Sequence, residues 1–318
     1  MTRFIKYCRS WVELVFKTRS LALASRLVSA EIWHFYVQRD PRGLWLTPLD
    51  MSLATARQWP WLLPCLSGAI LLKNQAGAVF GEYRGQFRME IRGLSLLATT
   101  GEELFTADEV FVQNVYRFIP RQTVVVMDIG MNVGYASLLF ASMPQVAAVF
   151  SFEPFPQTYE QAVLNIGLNP ACAAKIRMEN TGLADTNREV TAAYDASAKG
   201  GSSVYVPPNP NVPASACLRL RDAVEALDSV MSSYPDLPIV VKMDCEGAEY
   251  EILEAWAAGL RLGGLSLIMI EWHRFVEGHN PARLCKLLAD AGFDIFARED
   301  FSVNTGMIYA AHTTSRSA

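Results

Sequence analysis

An aspartate and two glycines follow an apolar run in the segment VVVMDIGMNVGYASLLFA, which covers residues 124–141. Gly130 and Gly134 would let the backbone turn sharply and approach a ligand closely, because glycine has no side chain. The helix predicted after the turn would offer free backbone N–H groups and the positive end of its dipole to a carboxylate. Asp128, at the end of the apolar run, could accept a hydrogen bond or pair with an ammonium group. The segment therefore suits a ligand that carries both an amine and a carboxylate.

Acidic residues close the next two apolar runs. Glu153 ends the strand in the segment FSFEP, where a carboxylate can accept hydrogen bonds from the hydroxyls of a ribose. Asp185 ends the segment ENTGLAD and is a candidate acceptor for the amino group of an adenine. An amino acid tail, a ribose and an adenine together describe S-adenosylmethionine. The interpretations without a ligand are a helix cap at Asp128 and a surface acid at Glu153.

The spacing of the glycines argues against a dinucleotide. The dinucleotide fingerprint is GxGxxG, and its second glycine lets the backbone approach the pyrophosphate. Asn132 stands at that position in this chain. The turn formed by Gly130, Asn132 and Gly134 therefore favours S-adenosylmethionine, and a nicotinamide oxidoreductase is the alternative.

Candidates for proton removal follow two later apolar runs. Methyl transfer to a hydroxyl needs alignment of the oxygen with the methyl group and a base that takes the proton. Lys242, Asp244, Glu246 and Glu249 follow the first of these runs, and Glu271 and His273 follow the second. Glu249 could cap a helix or pair with Lys242. Lys242 beside two acids is typical of a salt bridge, Glu246 could cap a helix, and the pKa of a histidine suits a base. The sequence leaves the base open between Asp244 or Glu246 and His273.

The cysteines and the net charge limit the classes of partner. The six cysteines include no CxxC pair and no cluster with histidine, so we expect no zinc site and reduced thiols in a cytoplasm. The acids at the strand ends would suit magnesium or calcium, but their spacing is not distinctive and we expect no metal. A net charge of −4 gives no overall basic field, so we expect no nucleic acid partner. No signal peptide and no membrane-spanning segment is predicted.

From residue 123 onward, apolar runs alternate with helical patterns. This alternation predicts an α/β fold with a mostly parallel, seven-stranded sheet and helices on both faces. The predicted strands are 123–127, 146–152, 176–180, 239–243, 265–270, 294–297 and 306–310. The predicted helices are 135–142, 156–168, 219–231, 248–258 and 281–291. In such a sheet the ligand lies beyond the carboxyl ends of the strands, where the acidic residues are expected to meet.

The first 100 residues are predicted to form an extension of helices and a small sheet, followed by a cofactor-binding domain at 101–318. Residues 79–91 predict one or two strands with a turn at Gly85, and residues 106–118 predict a helix capped by Thr106. Residues 1–30 predict a helix with many basic residues. This helix either packs on its own domain or lies on an anionic membrane surface.

Several segments together resemble the FkbM family of methyltransferases. They are DIGMNVGYASLLFA, SFEP, the helix around Asn165 and, above all, VKMDCEGAEYEIL at residues 241–253. The resemblance covers residues 105–310 and implies a class I, Rossmann-like methyltransferase fold that uses S-adenosylmethionine. It also implies methylation of a hydroxyl on a sugar, a glycan or another natural product. Met131 and Cys245 depart from the residues usual in the family, without removing a polar group.

A function of a different class remains open beside the enzyme. The basic residues within 1–30 are compatible with an inactive binding module that keeps the methyltransferase fold and associates with a membrane surface. The motifs set neither the methyl acceptor nor an oligomeric state.

Overall fold

A computed structural model describes residues 11–12, 15–16, 21, 24–25, 37–40, 43–205 and 215–312. The chain divides into two units, Met1–Val115 and Tyr116–Ala318. The sequence-based boundary after residue 100 stays a prediction. Most of the basic helix predicted for residues 1–30 lies outside the described residues. Among the helices that are described, none is long and apolar enough to cross a membrane.

The first unit contains two small antiparallel sheets and short helices. One sheet consists of β1 (Val37–Asp40), β2 (Gly43–Leu46) and β3 (Met51–Ser52), and the other of β4 (Val79–Tyr83), β5 (Gln86–Ile91) and β6 (Leu94–Ala98). Within residues 43–115 the helices are α1 (Leu53–Ala56), α2 (Leu66–Ala76) and α3 (Glu102–Asp108), with a 3-10 turn at Thr47–Leu49 and a π-helical turn at Glu109–Gln113. The predicted turn at Gly85 is confirmed, since it joins β4 to β5.

The helix predicted at residues 106–118 is wrong in its position. Helix α3 begins at Glu102, and the π-helical turn that follows it ends at Gln113. Glu103 sets this start, because its carboxylate accepts hydrogen bonds from the backbone N–H and the hydroxyl of Thr99 at 2.7 and 3.1 Å. A carboxylate in the first turn also meets the positive end of the helix dipole. Thr106 therefore lies inside the helix, where its hydroxyl donates to the carbonyl of Glu102.

The second unit is built on a central seven-stranded sheet, with a separate sheet of three strands. The strands are β7 (Val124–Ile129), β8 (Val146–Phe152), β9 (Ile176–Glu179), β10 (Gly182–Ala184), β11 (Arg188–Ala193), β12 (Ser215–Asp222), β13 (Ile239–Met243), β14 (Leu265–His273), β15 (Phe293–Ala297) and β16 (Thr305–His312). The central order is β15-β16-β14-β13-β7-β8-β9, and β10, β12 and β11 form the small sheet. Strand β16 runs antiparallel to β14 and β15, and the other central pairings are parallel. The predicted seven-stranded, mostly parallel sheet is confirmed.

Helices follow most of the central strands. They are α4 (Tyr135–Ser142), α5 (Pro156–Gly167), α6 (Pro170–Ala173), α7 (Ala223–Ser233), α8 (Glu249–Ala258) and α9 (Pro281–Asp290), with a 3-10 turn at Leu262–Gly264. Every residue of β7 and β13 is buried, so both faces of these strands are covered. This burial explains their continuous apolar sequences, since a strand with two covered faces does not alternate.

The helix predicted at residues 219–231 is wrong at its start, because Ser215–Asp222 is strand β12. In this strand Ala216, Leu218 and Leu220 are buried, and the residues between them are exposed. This is the two-residue period of a strand. Asp222 then caps helix α7, since its carboxylate accepts from the N–H groups of Val224 and Glu225.

The carboxyl ends of β7 and β13 meet in direct backbone contact. The N–H of Asp244 donates to the carbonyl of Ile129 at 3.0 Å. Gly130 follows with a φ of 83°, and a Cβ atom at this position would lie 1.6 Å from the carbonyl oxygen of Asp244. Only glycine fits, because both the left-handed backbone and the close approach exclude a side chain. The turn after β7 is therefore seated directly against the end of β13.

We expect the variant Gly130→Ala to lose more than about 2 kcal/mol of unfolding free energy, because its Cβ atom would collide with backbone rather than with a movable side chain. Thermal unfolding followed by circular dichroism measures the effect. Gly263→Ala is the matched control, since its φ is not positive and no atom lies within 4 Å of a Cβ built there. Equal unfolding temperatures for the two variants would contradict the contact.

Candidate active site

Glu153 joins the ends of β7 and β8. Its Oε2 accepts from the backbone N–H of Asn132 at 2.9 Å, and its Oε1 accepts from the N–H of Phe155 at 2.9 Å. The residue is only 5% exposed, and burial raises the pKa of Glu153 to about 7 although the two N–H groups oppose that shift. Asn132 has a φ of 52°, a left-handed conformation that asparagine adopts more readily than most residues. The structure thus brings Glu153 and the predicted turn together.

Gly134 ends the turn and begins helix α4. It has a φ of 87°, and no side chain caps the first turn of the helix. Helix starts of this kind offer backbone N–H groups and a positive dipole end to an anion. The amide of Asn165 donates to the carbonyl of Val133 at 2.8 Å, and Asn165 is fully buried, so α5 holds the turn in place. The arrangement is suited to receiving the carboxylate of an amino acid.

Asp128 is fully buried, and its partners are residues of the chain. Its Oδ2 accepts from the hydroxyl of Ser137 at 2.5 Å, and its Oδ1 lies 3.4 Å from Nζ of Lys242. Burial raises the pKa of Asp128, and Lys242 opposes this shift. The ammonium beside Asp128 is therefore that of Lys242. A part for Asp128 in cofactor binding stays a prediction, and its burial indicates an indirect one.

Lys242 connects the turn to the end of β13. Its Nζ donates to the carbonyl of Gly130 at 2.5 Å and lies 3.4 Å from Oδ2 of Asp244. Burial alone would lower the pKa of Lys242, but Asp244 and Asp128 raise it above its usual value. Lys242 therefore stays an ammonium at neutral pH. This supports the salt bridge expected from the sequence and argues against a proton-accepting role for Lys242.

A group of five residues, called here the strand-end cluster, lies at the carboxyl ends of β13 and β14. It consists of Asp244, Glu246, Glu249, Glu271 and His273. The side chains of Asp244 and Glu246 are 26% and 19% exposed, so they are accessible to a ligand. Glu246 has a φ of 53°, a strained conformation for a residue with a side chain and one that often marks a functional position. Burial and the neighbouring carboxylates raise the pKa of Glu246.

His273 lies between two carboxylates of the strand-end cluster. Its Nδ1 is 2.9 Å from Oε1 of Glu249, and its Nε2 is 3.5 Å from Oε2 of Glu246. Burial lowers the pKa of His273, but the hydrogen bond and charge of Glu249 outweigh this effect and raise it to about 10. The ring is thus a cation at neutral pH, which argues for a positioning role for His273 rather than for a base.

Glu249 fixes the histidine from a fully buried position. Its carboxylate also accepts from the N–H groups of Cys245 and Gly247 at 3.2 and 2.9 Å. The carboxylate of Glu249 is therefore held in place from three sides. The sequence predicts that Glu249 either caps a helix or pairs with Lys242. In the structure it accepts from N–H groups of the preceding loop and bonds to His273.

One residue outside the sequence motifs, Tyr116, contacts the strand-end cluster. The hydroxyl of Tyr116 lies 3.0 Å from Oδ2 of Asp244 and 3.0 Å from Oε2 of Glu271. The ring of Tyr116 also lies under Nζ of Lys242, at 5.2 Å from the ring centre. Tyr116 precedes β7 along the chain, and no motif in the sequence pointed to it. Only the folded contact between distant segments reveals its place.

Asp185 does not lie at the end of a strand of the central sheet. It follows β10 of the small sheet, its side chain is 53% exposed, and its Oδ1 pairs with Nη1 of Arg188 at 2.5 Å. Arg188 lines a cavity of about 640 Å³ together with Glu179, Asn180, Thr181, Asn187, Glu189, Arg219, Leu220 and Arg221. The contact of Asp185 with an adenine stays a prediction.

Ligand atoms of Asp244, Glu246 and His273 lie within 4.8 Å of one another, the only such group found among the described residues. A divalent cation would meet two carboxylates and one imidazole here. Since Glu249 and Glu246 hold the ring of His273 as an imidazolium, it has no lone pair to offer. We therefore treat the three residues as an ion-paired network, and the absence of a metal stays a prediction.

The sequence matches a family profile and is similar to known proteins. The family profile described as "Methyltransferase FkbM domain" matches residues 128–295, which is more than half of the chain. The hexuronic acid methyltransferase AglP of Haloferax volcanii is 25% identical over 167 residues, which are 52% of this chain and 62% of that protein. The AMB antimetabolite synthetase AmbE of Pseudomonas aeruginosa is 32% identical over 107 residues, which are 33% of this chain and 5% of that protein.

Among solved structures, the crystal structure of methyltransferase FkbM from Methylobacillus flagellatus KT superposes with a TM-score of 0.40 at 15% identity, over 67% of this chain and 52% of that one. The chain thus spans less than two thirds of each of these three proteins. The matched residues 128–295 include the turn after β7 and the strand-end cluster. The resemblance noted in the sequence is confirmed, and the chain belongs to the FkbM family of methyltransferase domains.

Proposed function

We propose that this chain transfers a methyl group from S-adenosylmethionine to a hydroxyl group of a sugar or a sugar acid. The observation that carries the proposal is the contact of Gly130 with the carbonyl of Asp244. It sets the turn that would seat the cofactor directly beside the carboxylates that would receive the acceptor. The name of the relative AglP, a hexuronic acid methyltransferase, supports a sugar as the acceptor.

The residues around the turn fit the cofactor. Gly130 and Gly134 have no side chains that would block a ligand at the turn. Helix α4 begins directly after Gly134 without a side-chain cap, so its free N–H groups would suit the methionine carboxylate. Each oxygen of Glu153 accepts one backbone N–H, so each has a lone pair left for a ribose hydroxyl. The backbone N–H of Asn132, which is part of the turn, would hold the carboxylate of Glu153 in position. The cofactor, when bound, supplies a methyl group on a sulfonium, which is electrophilic.

Asp244 is the residue we assign as proton acceptor. Its side chain is the more exposed of the two accessible carboxylates, and its main chain touches the turn. Tyr116 and Lys242 both engage Oδ2, so Oδ1 is the oxygen that would face an acceptor hydroxyl. The acceptor oxygen would gain the methyl group, its proton would pass to Asp244, and the sulfonium would become a neutral thioether. Alignment and proton removal are the two contributions expected of the protein.

Glu246 and His273 would orient the acceptor. Glu249 holds the imidazolium of His273, and the imidazolium in turn faces Glu246. Glu246 could then accept a hydrogen bond from a second hydroxyl of the same sugar. Two carboxylates on neighbouring hydroxyls would restrict rotation of the sugar, which is the geometric condition for a selective transfer.

The variant Glu153→Gln tests the ribose contact. An amide offers one acceptor oxygen in place of two, and its NH₂ group would face a backbone N–H, so we expect affinity for S-adenosylhomocysteine to fall about 10- to 100-fold. The pKa of Glu153 near 7 adds a pH dependence. The carboxylate accepts ribose hydroxyls only when ionised, so affinity should rise as pH rises through about 7, and the variant should lack this rise.

Isothermal titration with S-adenosylhomocysteine at several pH values measures both effects. Glu160→Gln is the control, because Glu160 lies on the neighbouring helix α5 and is exposed. If Glu153→Gln binds as the unchanged protein does, the ribose assignment is wrong.

The variant Asp244→Asn tests the proton acceptor. Asparagine keeps the size of the side chain but cannot take a proton, so we expect kcat to fall about 10²- to 10⁴-fold, with little change in affinity for S-adenosylhomocysteine. The assay is methyl transfer from isotopically labelled S-adenosylmethionine to a panel of glucuronides and hexosides. Asp236→Asn is the control, since Asp236 is exposed on the loop before β13. Full activity of Asp244→Asn would refute the assignment.

We also propose that the protein works in the cytoplasm and touches a membrane surface through residues 1–30. The five described cysteines are free, which supports a reducing compartment. Basic residues within 1–30 support attraction to anionic lipid.

Removal of residues 1–30 tests the membrane contact. We expect the full chain to sediment with vesicles that contain phosphatidylserine, and the shortened chain to stay in the supernatant, because the basic charge is removed. Vesicles of phosphatidylcholine alone serve as the control. Equal sedimentation of the two chains would show that residues 1–30 are not the contact.

A further inference from the structure

Tyr116 stands between two carboxyl groups that cannot both receive its proton. Its hydroxyl is 3.0 Å from Oδ2 of Asp244 and 3.0 Å from Oε2 of Glu271. A phenol has a single hydrogen to donate. If both carboxyl groups were ionised, one anionic oxygen would face a lone pair of the phenol at hydrogen-bond distance. The arrangement is therefore most favourable when one of the two carboxyl groups holds a proton and donates it to the oxygen of Tyr116.

The surroundings decide which carboxyl group holds that proton. Nζ of Lys242 lies 3.4 Å from Oδ2 of Asp244, so a cation stabilises the anionic form of Asp244. No lysine, arginine or histidine among the described residues lies at ion-pair distance from Glu271. Among the residues that the structure describes, the only donor to its other oxygen, Oε1, is the neutral hydroxyl of Thr305 at 3.3 Å. The proton therefore belongs on Glu271.

We propose that Glu271 is a protonated acid that donates to Tyr116, and that Tyr116 donates to Asp244 in turn, which holds Asp244 as an anion with Oδ1 free for the acceptor. This inference rests on the proposed function of Asp244. Glu271 and Tyr116 are then positioning residues. Neither needs to touch the acceptor or the cofactor, because both act through Asp244.

The charges around Glu271 agree with this assignment. Burial, followed by the negative charge of Asp244, raises the pKa of Glu271 to about 7, against the opposing effects of His273, Tyr116 and Lys242. Glu246 and Tyr309 also interact with Glu271, from the loop after β13 and from β16. A group of this pKa is protonated below about 7 and loses its proton as the pH rises. The single proton of Tyr116 would then be shared between two anions, and Asp244 would lose its fixed donor.

The pair of variants Glu271→Gln and Tyr116→Phe tests the chain of donors. A glutamine amide can donate to Tyr116 at every pH, so Glu271→Gln should keep kcat within about threefold of its value near pH 6 when the pH reaches about 8. The unchanged protein should lose activity over the same range. Tyr116→Phe removes the bridge and should lower kcat at least about tenfold at every pH. All rates are measured at saturating S-adenosylmethionine, so that the titration of Glu153 does not enter.

Infrared difference spectra provide a readout that does not depend on methyl transfer. The protein with S-adenosylhomocysteine bound should show a protonated-carboxyl band that disappears as the pH rises through about 7. This band should be absent in Glu271→Gln and shifted in frequency in Tyr116→Phe, where its acceptor is missing. Asp236→Asn should leave it unchanged.

The outcomes separate the two proposals. An unaltered band in Glu271→Gln, or the same alkaline loss of activity in that variant, would overturn the protonated acid. If Glu271→Gln fails to fold, an unshifted band in Tyr116→Phe overturns it. If no sugar is methylated but the band behaves as expected, the proton assignment stands and the proposed function of Asp244 falls.

Discussion

One buried ammonium group is the constraint on which the site depends. Lys242 donates to the carbonyl of Gly130 and lies 3.4 Å from carboxylates of both Asp128 and Asp244. A buried charge is costly unless it is paired, and removing one partner of such a pair leaves the other uncompensated. The turn after β7 and the carboxylate after β13 therefore share one counter-ion. A change that displaced Lys242 would act on the cofactor side and the acceptor side at once.

The strand-end cluster brings several carboxyl groups close together without all of them being ionised. Within the described part of the chain, its four carboxyl groups face two cationic groups, Lys242 and His273. Glu249 is balanced by the imidazolium and by two backbone N–H groups. Burial then favours protonation of the acids that lack such partners. A hydroxyl acceptor of the kind proposed would therefore meet groups that bind hydroxyls well, in a site of modest net charge.

The sequence predicted the parts of the site that depend on strand order. Parallel strands end at one edge of a sheet, so Gly130, Glu153 and Asp244 could be placed together from their positions after apolar runs. The role of His273 could not be predicted, because its pKa depends on Glu249, a contact across two elements. Tyr116 carried no signal, since it meets Asp244 only in the folded chain. Strand β12 was missed because its last residues, 219–222, run directly into helix α7 and were assigned to that helix.

The segment from Cys245 to Glu249 folds back on itself. Glu246 and Gly247 have φ values of 53° and 108°, and consecutive residues of this kind turn their N–H groups toward one point. The acid that fills this concave nest comes from the same segment, since Glu249 accepts from Cys245 and Gly247. The loop thus carries its own counter-anion, and its length is set by the reach of one side chain. These contacts explain the spacing of the residues in EGAE. One inserted residue would move the carboxylate of Glu249 away from the N–H groups of Cys245 and Gly247 and away from His273, which the same carboxylate holds.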